Sequence, residues 1–367
     1  MINDIQTIVK NDYCVGCGAC GVIDNEIKFE LNQSKGLRLP KLDNKEYLKA
    51  NSICPFTNKN QGFSYFKKYK QSLEFDPLTG FYKEIIISSI KDSKQRAAST
   101  SGGLTSYILK KLIKKNLITG VLHLAQNKSS SNLDDLFEYK ISRSIKEIDE
   151  ARGTKYYPGN LKDIKKLINS DKEKLAIVGL PCFIRSIRLL CEKDEKLKNN
   201  IRYAISLVCG HMKSINYSKY LAYHAKVKPQ DLVQDIDYRE PIEEGSAHEY
   251  RARFKLDDNK SLETIPIKNI YAENWSYGAC MPKACSFCDD VAGENADITI
   301  GDAWIPPFDS DSRGTNIAII RNNEITKLLD SQELNIIKSC KISFVVFLAI
   351  IVSPKFYWHG RKRLLNY

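Results

Sequence analysis

Cys14, Cys17 and Cys20 stand in the run CVGCGAC with two residues between each pair. Small residues fill the gaps, so the chain can coil tightly enough to turn three sulfurs and several backbone amides toward one point. The spacing is that of bacterial iron–sulfur ligands. A cubane needs a fourth thiolate, and Cys54 followed by Pro55 supplies one. Zinc sites usually set their ligands as two separated pairs, so three cysteines in one turn favour the corner of a 4Fe–4S cluster.

Four further cysteines occur where short apolar runs give way to loops: Cys182 in GLPC, Cys209 in VCG, and Cys285 with Cys288 in CSFC. Two readings are open. The fold gathers them into a second cluster, or they are ordinary buried thiols. Cys191, Cys280 and Cys340 have no partner at ligand spacing and read as structural, with Cys280 an alternative to Cys285.

The chain has 367 residues, 43% of them hydrophobic, enough for a large domain with one small appended module. Its formal charge of +12 comes from lysines spread through nearly every segment. A dispersed charge of this kind argues against nucleic acid, which favours a dense basic stripe. It suits a solvated surface, an anionic substrate, an acidic partner protein or a membrane face. The start MIND lacks the basic and apolar regions of a secretory signal, so a cytoplasmic location and reduced thiols are expected. The longest apolar run, Phe344 to Val352, has nine residues, well short of the roughly 20 that span a bilayer. Lys355, Tyr357, Trp358, Arg361, Lys362 and Arg363 follow it. A buried terminal element with a basic tail is the favoured reading, and peripheral membrane contact the alternative.

Residues 1–62 read as a small module organised by its cysteines rather than by periodic apolar residues. After a polar connection over 65–74, strand signals recur at Glu84–Ile90, Val121–Leu124, Leu175–Val178, Ala204–Val208, Ile298–Ile300 and Ile317–Ile320. Helical patterns at Leu104–Ile113 and Ile184–Cys191 alternate with them, so an α/β fold with a mixed sheet is expected over 80–340. Residues 231–269 read as an antiparallel insertion or lid, with Tyr250, Ala252 and Phe254 on one face. Residues 341–367 form a C-terminal apolar and basic segment.

Ser101, Gly102 and Gly103 precede the helical run LTSYIL, where exposed amides can receive a phosphate or be capped by nearby hydroxyls. The turn RGTKYYP, Arg152 to Pro158, joins cations, a hydroxyl and aromatics; it suits a flavin phosphate and ring, or is ordinary loop chemistry. Asp297 and Asp302 flank a short strand ahead of Trp304, and capping of backbone turns is favoured over metal binding. His211 and Tyr156 are candidate proton donors.

In this order the segments CVGCGAC, STSGGLTSYIL, GTKYYPGN, VGLPCFIRSIR, LVCG, CSFCDD, ADITIGDAW and GTNIAIIRN resemble the coenzyme F420 hydrogenase/dehydrogenase beta-subunit family, which includes 7-hydroxymethyl chlorophyll a reductase. The resemblance spans nearly the whole chain. It implies a ferredoxin-like N-terminal module and a central α/β domain binding FAD, with electrons passing between clusters and flavin. Ser101, Gly102, Gly103, Thr154, Lys155 and Tyr156 then fall near FAD, and Cys182, Cys209, Cys285 and Cys288 become ligands of a second 4Fe–4S cluster. Ala284 stands before Cys285 where relatives often carry more basic character, and nothing in the sequence identifies a deazaflavin pocket.

Three functional classes follow. The first is an oxidoreductase reducing its own small, anionic substrate with electrons from ferredoxin or another redox protein. The second is an electron-transfer subunit serving a partner enzyme. The third is a non-redox scaffold whose cysteines bind zinc.

Overall fold

The computed structural model describes residues 4–60, 62–243, 245–257, 260–273 and 275–338. Cys340 and the 341–367 segment, with its apolar run and basic tail, lie outside the described residues.

Near the N-terminus, the helix Ile5–Lys10 starts where the Asp4 carboxylate accepts the Thr7 amide at 2.6 Å. The cysteine loop follows, then the helix Ala19–Ile23, the hairpin β1 (Lys28–Asn32) and β2 (Leu37–Lys41), and the helix Leu48–Ile53. Contrary to the expectation of a segment without an apolar core, Ile5, Ile27, Tyr47 and Ala50 form one, and Cys20 and Cys54 pack against it. Val15, Val22, Leu37 and Ile53 turn the other way and join the core of the larger unit.

A second hairpin, β3 (Glu74–Asp76) and β4 (Gly80–Tyr82), leads into β5 (Glu84–Ile90). The main sheet then gains β6 (Gly120–Gln126), β7 (Phe137–Ser142), β8 (Leu175–Gly179) and β9 (Ile201–Leu207). A separate three-stranded antiparallel sheet holds β10 (Val233–Pro241), β11 (Tyr250–Leu256) and β12 (Ser261–Glu263). The chain returns to the main sheet with β13 (Ile298–Asp302), β14 (Asn316–Ile320) and β15 (Leu334–Lys338). Eight strands run in the order β15-β5-β14-β13-β9-β8-β6-β7. Strands β13, β9, β8 and β6 are mutually parallel, and antiparallel strands complete both sides.

Side chains alternate across a strand, and here the alternation feeds two cores. Leu122, Ile177 and Ala204 face the helix Pro181–Cys191 and the N-terminal segment. Val121, Ala176 and Ile205 face the helix Leu104–Lys114. With helices on both faces, the parallel strands are apolar on both, which is why they read as continuous runs. In the smaller sheet Tyr250, Ala252 and Phe254 are buried together on one face, as their spacing implies. No helix among the described residues is long and apolar enough to cross a membrane.

Candidate functional site

Gly16 and Gly18 adopt left-handed backbone angles, φ 72° and 82°, which wind the cysteine run into a coil. Cys14, Cys17, Cys20 and Cys54 thereby line one cavity with Val15, Gly18 and Phe56. The Gly16 amide lies 3.4 Å from the Cys14 sulfur. From elsewhere in the chain, Asn160 donates to the Gly16 carbonyl at 3.0 Å and the Leu161 amide to the Cys17 carbonyl at 2.7 Å. Burial pushes the Cys14 thiol up to about 12, with the neighbouring Cys17 adding to it. Burial likewise lifts Cys17, Cys20 and Cys54. Four desolvated thiols beside one another disfavour free thiolates, and a cationic centre among them reverses that balance.

The second group comes together at the ends of parallel strands. Cys182 opens the helix after β8, Cys209 follows β9, and Cys285 and Cys288 belong to the short turn Lys283–Phe287 and its end. All four line a second cavity with His211, Met212, Ala284 and Asp290. Burial raises Cys182 well above the ordinary thiol range, and Cys288, Cys209 and Cys285 add to it. Cys280 is not among the lining residues, and Cys191 packs in the core. Val15 and Phe56 line both cavities. Among the described residues no three His, Cys, Asp or Glu side chains converge on a single-ion site. A cubane spreads its thiolates over a wider shell than one ion does, so the donor set and its burial fit that group.

Gly102 and Gly103, φ 49° and 86°, lead into the helix Leu104–Lys114. Hydroxyl capping of this helix start does not occur: Asn316, from β14, accepts the Leu104 amide at 2.9 Å, because the loop is packed against that strand. The Ser101 hydroxyl oxygen is buried without a partner among the described residues, the kind of atom a bound phosphate satisfies. Thr154 joins this loop through Thr100, their hydroxyls 3.1 Å apart. Lys155 donates to the Arg152 carbonyl at 3.0 Å, and burial holds its ammonium below the ordinary lysine range. Ser101, Gly102, Gly103, Thr154 and Lys155 thus share one region, and its donors fit an anionic cofactor. Tyr156 turns from it into an aromatic group, 4.9 Å from Trp275 and 5.7 Å from Tyr238 between ring centroids.

Asp297 and Asp302 serve the fold. Asp297 pairs with buried Arg188 at 2.9 Å and accepts the Ala204 amide at 2.7 Å. Asp302 pairs with Arg239 at 2.7 Å. His211 stacks on Trp275. The sequence singles out neither Asn160, though it closes the run GTKYYPGN, nor Ser186, though it lies in VGLPCFIRSIR, nor Trp275, which carries no local signal.

Residues 172–342 match the family model for the C terminus of the coenzyme F420 hydrogenase/dehydrogenase beta subunit, and residues 87–165 match the model for the N-terminal part of the same protein. The F subunit of F420H2 dehydrogenase from Methanosarcina mazei is 24% identical over 334 residues, covering 89% of this chain and 84% of that protein. The beta subunit of coenzyme F420 hydrogenase from Methanococcus voltae is 24% identical over 233 residues, 62% of this chain and 75% of that one. Among solved structures, a chain of the F420-reducing NiFe hydrogenase complex from Methanosarcina barkeri superposes with a TM-score of 0.56 at 16% identity, over 80% of this chain and 95% of that chain. That likeness supports the fold.

Proposed function

The chain belongs to the coenzyme F420 hydrogenase/dehydrogenase beta-subunit family, and from that premise we propose that it is an iron–sulfur flavoprotein oxidoreductase with two 4Fe–4S clusters and one FAD. The family carries the coarser statement, a redox subunit of the F420 hydrogenase/dehydrogenase type. The finer reading rests on one observation: two separate cysteine quartets surround two cavities that share Val15 and Phe56.

In this reading Cys14, Cys17, Cys20 and Cys54 hold the first cluster, within a ferredoxin-like module over residues 1–62. Cys182, Cys209, Cys285 and Cys288 hold the second, within a flavin domain over 80–340. Ser101, the amides around Gly102 and Gly103, Thr154 and Lys155 receive the flavin phosphates, and Tyr156 borders its ring. The flavin supplies exchange between paired and single electrons, and the clusters carry them singly. The chain's own part is to desolvate the thiolates, offer amides such as that of Gly16 to the sulfurs, and place a cation, Lys155, beside the cofactor. Asn160 ties the flavin loop to the first cysteine loop, and Trp275 ties Tyr156 to His211 at the second cavity.

The reducible molecule is a small organic substrate or coenzyme. A second reading, electron delivery to a partner enzyme, draws support from relatives whose names are those of complex subunits. Anaerobic purification with iron, sulfide, zinc and flavin quantified tests the cofactor reading. About eight irons and one FAD per chain are expected; zinc without iron or flavin overturns the reading. Tight co-purification with a second redox protein selects the subunit role, and turnover of a small molecule by the isolated chain selects the enzyme.

A further inference from the structure

The helix Pro181–Cys191 carries Cys182 in its first turn and Ser186 four residues on, one helical turn away on the same face. Ser186 is completely buried. Its hydroxyl donates to the Cys182 carbonyl at 2.8 Å, the back-bond a serine within a helix commonly makes. That bond already satisfies a structural serine. Yet the same oxygen lies 3.7 Å from the sulfur of Cys17, which belongs to the other quartet. One hydroxyl proton therefore faces two acceptors, one at each cysteine cavity.

We propose that Ser186 is a positioning residue that tunes the first cluster, sharing its proton between the Cys17 thiolate and the Cys182 carbonyl. The inference rests on the two-cluster reading above. A ligand thiolate accepts only, and its negative charge grows when the cluster gains an electron. Hydrogen bonds to charged acceptors are roughly twice as strong as neutral ones, so reduction of the first cluster draws the proton from the carbonyl to the sulfur. Such a bond stabilises the more negative state and raises the reduction potential. Ser186 meets Cys182 at its carbonyl, outside the ligating sulfur, so the second cluster feels the hydroxyl less. The result is a bias that makes the first cluster the better electron acceptor.

The test is an EPR-monitored redox titration of the anaerobically reconstituted full chain and of Ser186→Ala, with signals assigned by Cys285→Ala, which lacks the second cluster. In Ser186→Ala the reduced-to-oxidised ratio of the first cluster at fixed potential should fall about tenfold, about 59 mV for one electron, with a smaller change at the second. Proton ENDOR after exchange into heavy water should show an exchangeable proton at the reduced first cluster of the native chain, absent from the variant. An unchanged first midpoint in a variant holding both clusters, or a native chain without that proton, overturns the inference and leaves the two-cluster reading standing. A native chain with fewer than two clusters, seen in its iron content before titration, overturns both.

Discussion

The His211 imidazole lies on the Trp275 indole with ring centroids 4.6 Å apart and planes 20° from parallel. His211 lines the second cysteine cavity, and Trp275 meets Tyr156 of the candidate flavin loop at 4.9 Å. The Lys213 ammonium, 4.3 Å from the indole centroid, adds a buried cation over the same ring. A run of packed rings therefore joins two regions far apart in sequence.

Trp275→Leu should leave both midpoint potentials in place while slowing electron exchange between flavin and clusters several-fold, since exchange weakens steeply as the packed path opens. Loss of the stacked pair itself costs about 1 kcal/mol of stability. Rapid-mixing absorbance at the flavin and cluster bands measures the rate. An unchanged rate removes the ring run from the electron path.

Cys17→Ala and Cys182→Ala should each lower iron from about eight to about four per chain, because each removes a ligand from a different quartet. Cys191→Ala, at a thiol packed in the apolar core, should keep the full complement. Iron and sulfide assays after anaerobic reconstitution decide. About four irons in both Cys182→Ala and the native chain would confine clusters to the N-terminal site, and about eight in both would remove Cys182 from the ligands.

Lys155→Met should weaken FAD binding by roughly tenfold or more, the effect of losing one hydrogen bond to a charged group at about 1.5–3 kcal/mol. Fluorescence titration of the flavin-free protein reads the dissociation constant. Native-like affinity would place the phosphates away from Lys155.

Burial, with the Lys155 charge adding to it, pulls the His123 imidazole down to about 4, and its Nε2 lies 2.8 Å from the Ser142 hydroxyl. The unfolded chain takes up this proton near 6.5, the folded chain only near 4. Stability from this group is full above about pH 6.5 and drains away as pH falls toward 4, to about 3 kcal/mol in all. His123→Gln, which keeps a partner for Ser142, should flatten that loss in urea unfolding compared at neutral and acid pH. A variant as acid-sensitive as the native chain assigns the loss to other groups.

Asp297 and Arg188 are both buried, and Asp297 also accepts the Ala204 amide and the Asn322 side chain at 2.8 Å. Asp297→Ala leaves a buried guanidinium without its carboxylate and should cost about 3–5 kcal/mol, read as a lower denaturation midpoint. A loss below about 1 kcal/mol, the scale of an exposed pair, would show that water reaches the site.

Local spacing settled much of this protein. CVGCGAC places three thiols in one coil, because two-residue gaps and left-handed glycines wind the run tightly. The β-branched runs from Glu84 to Ile320 read as buried strands because helices cover both faces of the sheet. The antiparallel sheet around Tyr250, Ala252 and Phe254 was legible from period-two burial. Other features depend on strands and loops meeting. Cys182, Cys209 and Cys285 share a cavity only because β8 and β9 are parallel neighbours ending on the same side, where the 285–288 turn packs. Asp297 and Asp302 took arginine partners from a distant helix and strand, so their spacing looked like caps or ligands. Ser186 and Asn160 lie inside quoted segments and Trp275 in none, yet their contacts stay invisible in the sequence, since a hydrogen bond or a ring stack between remote segments leaves no periodic trace in the chain that forms it.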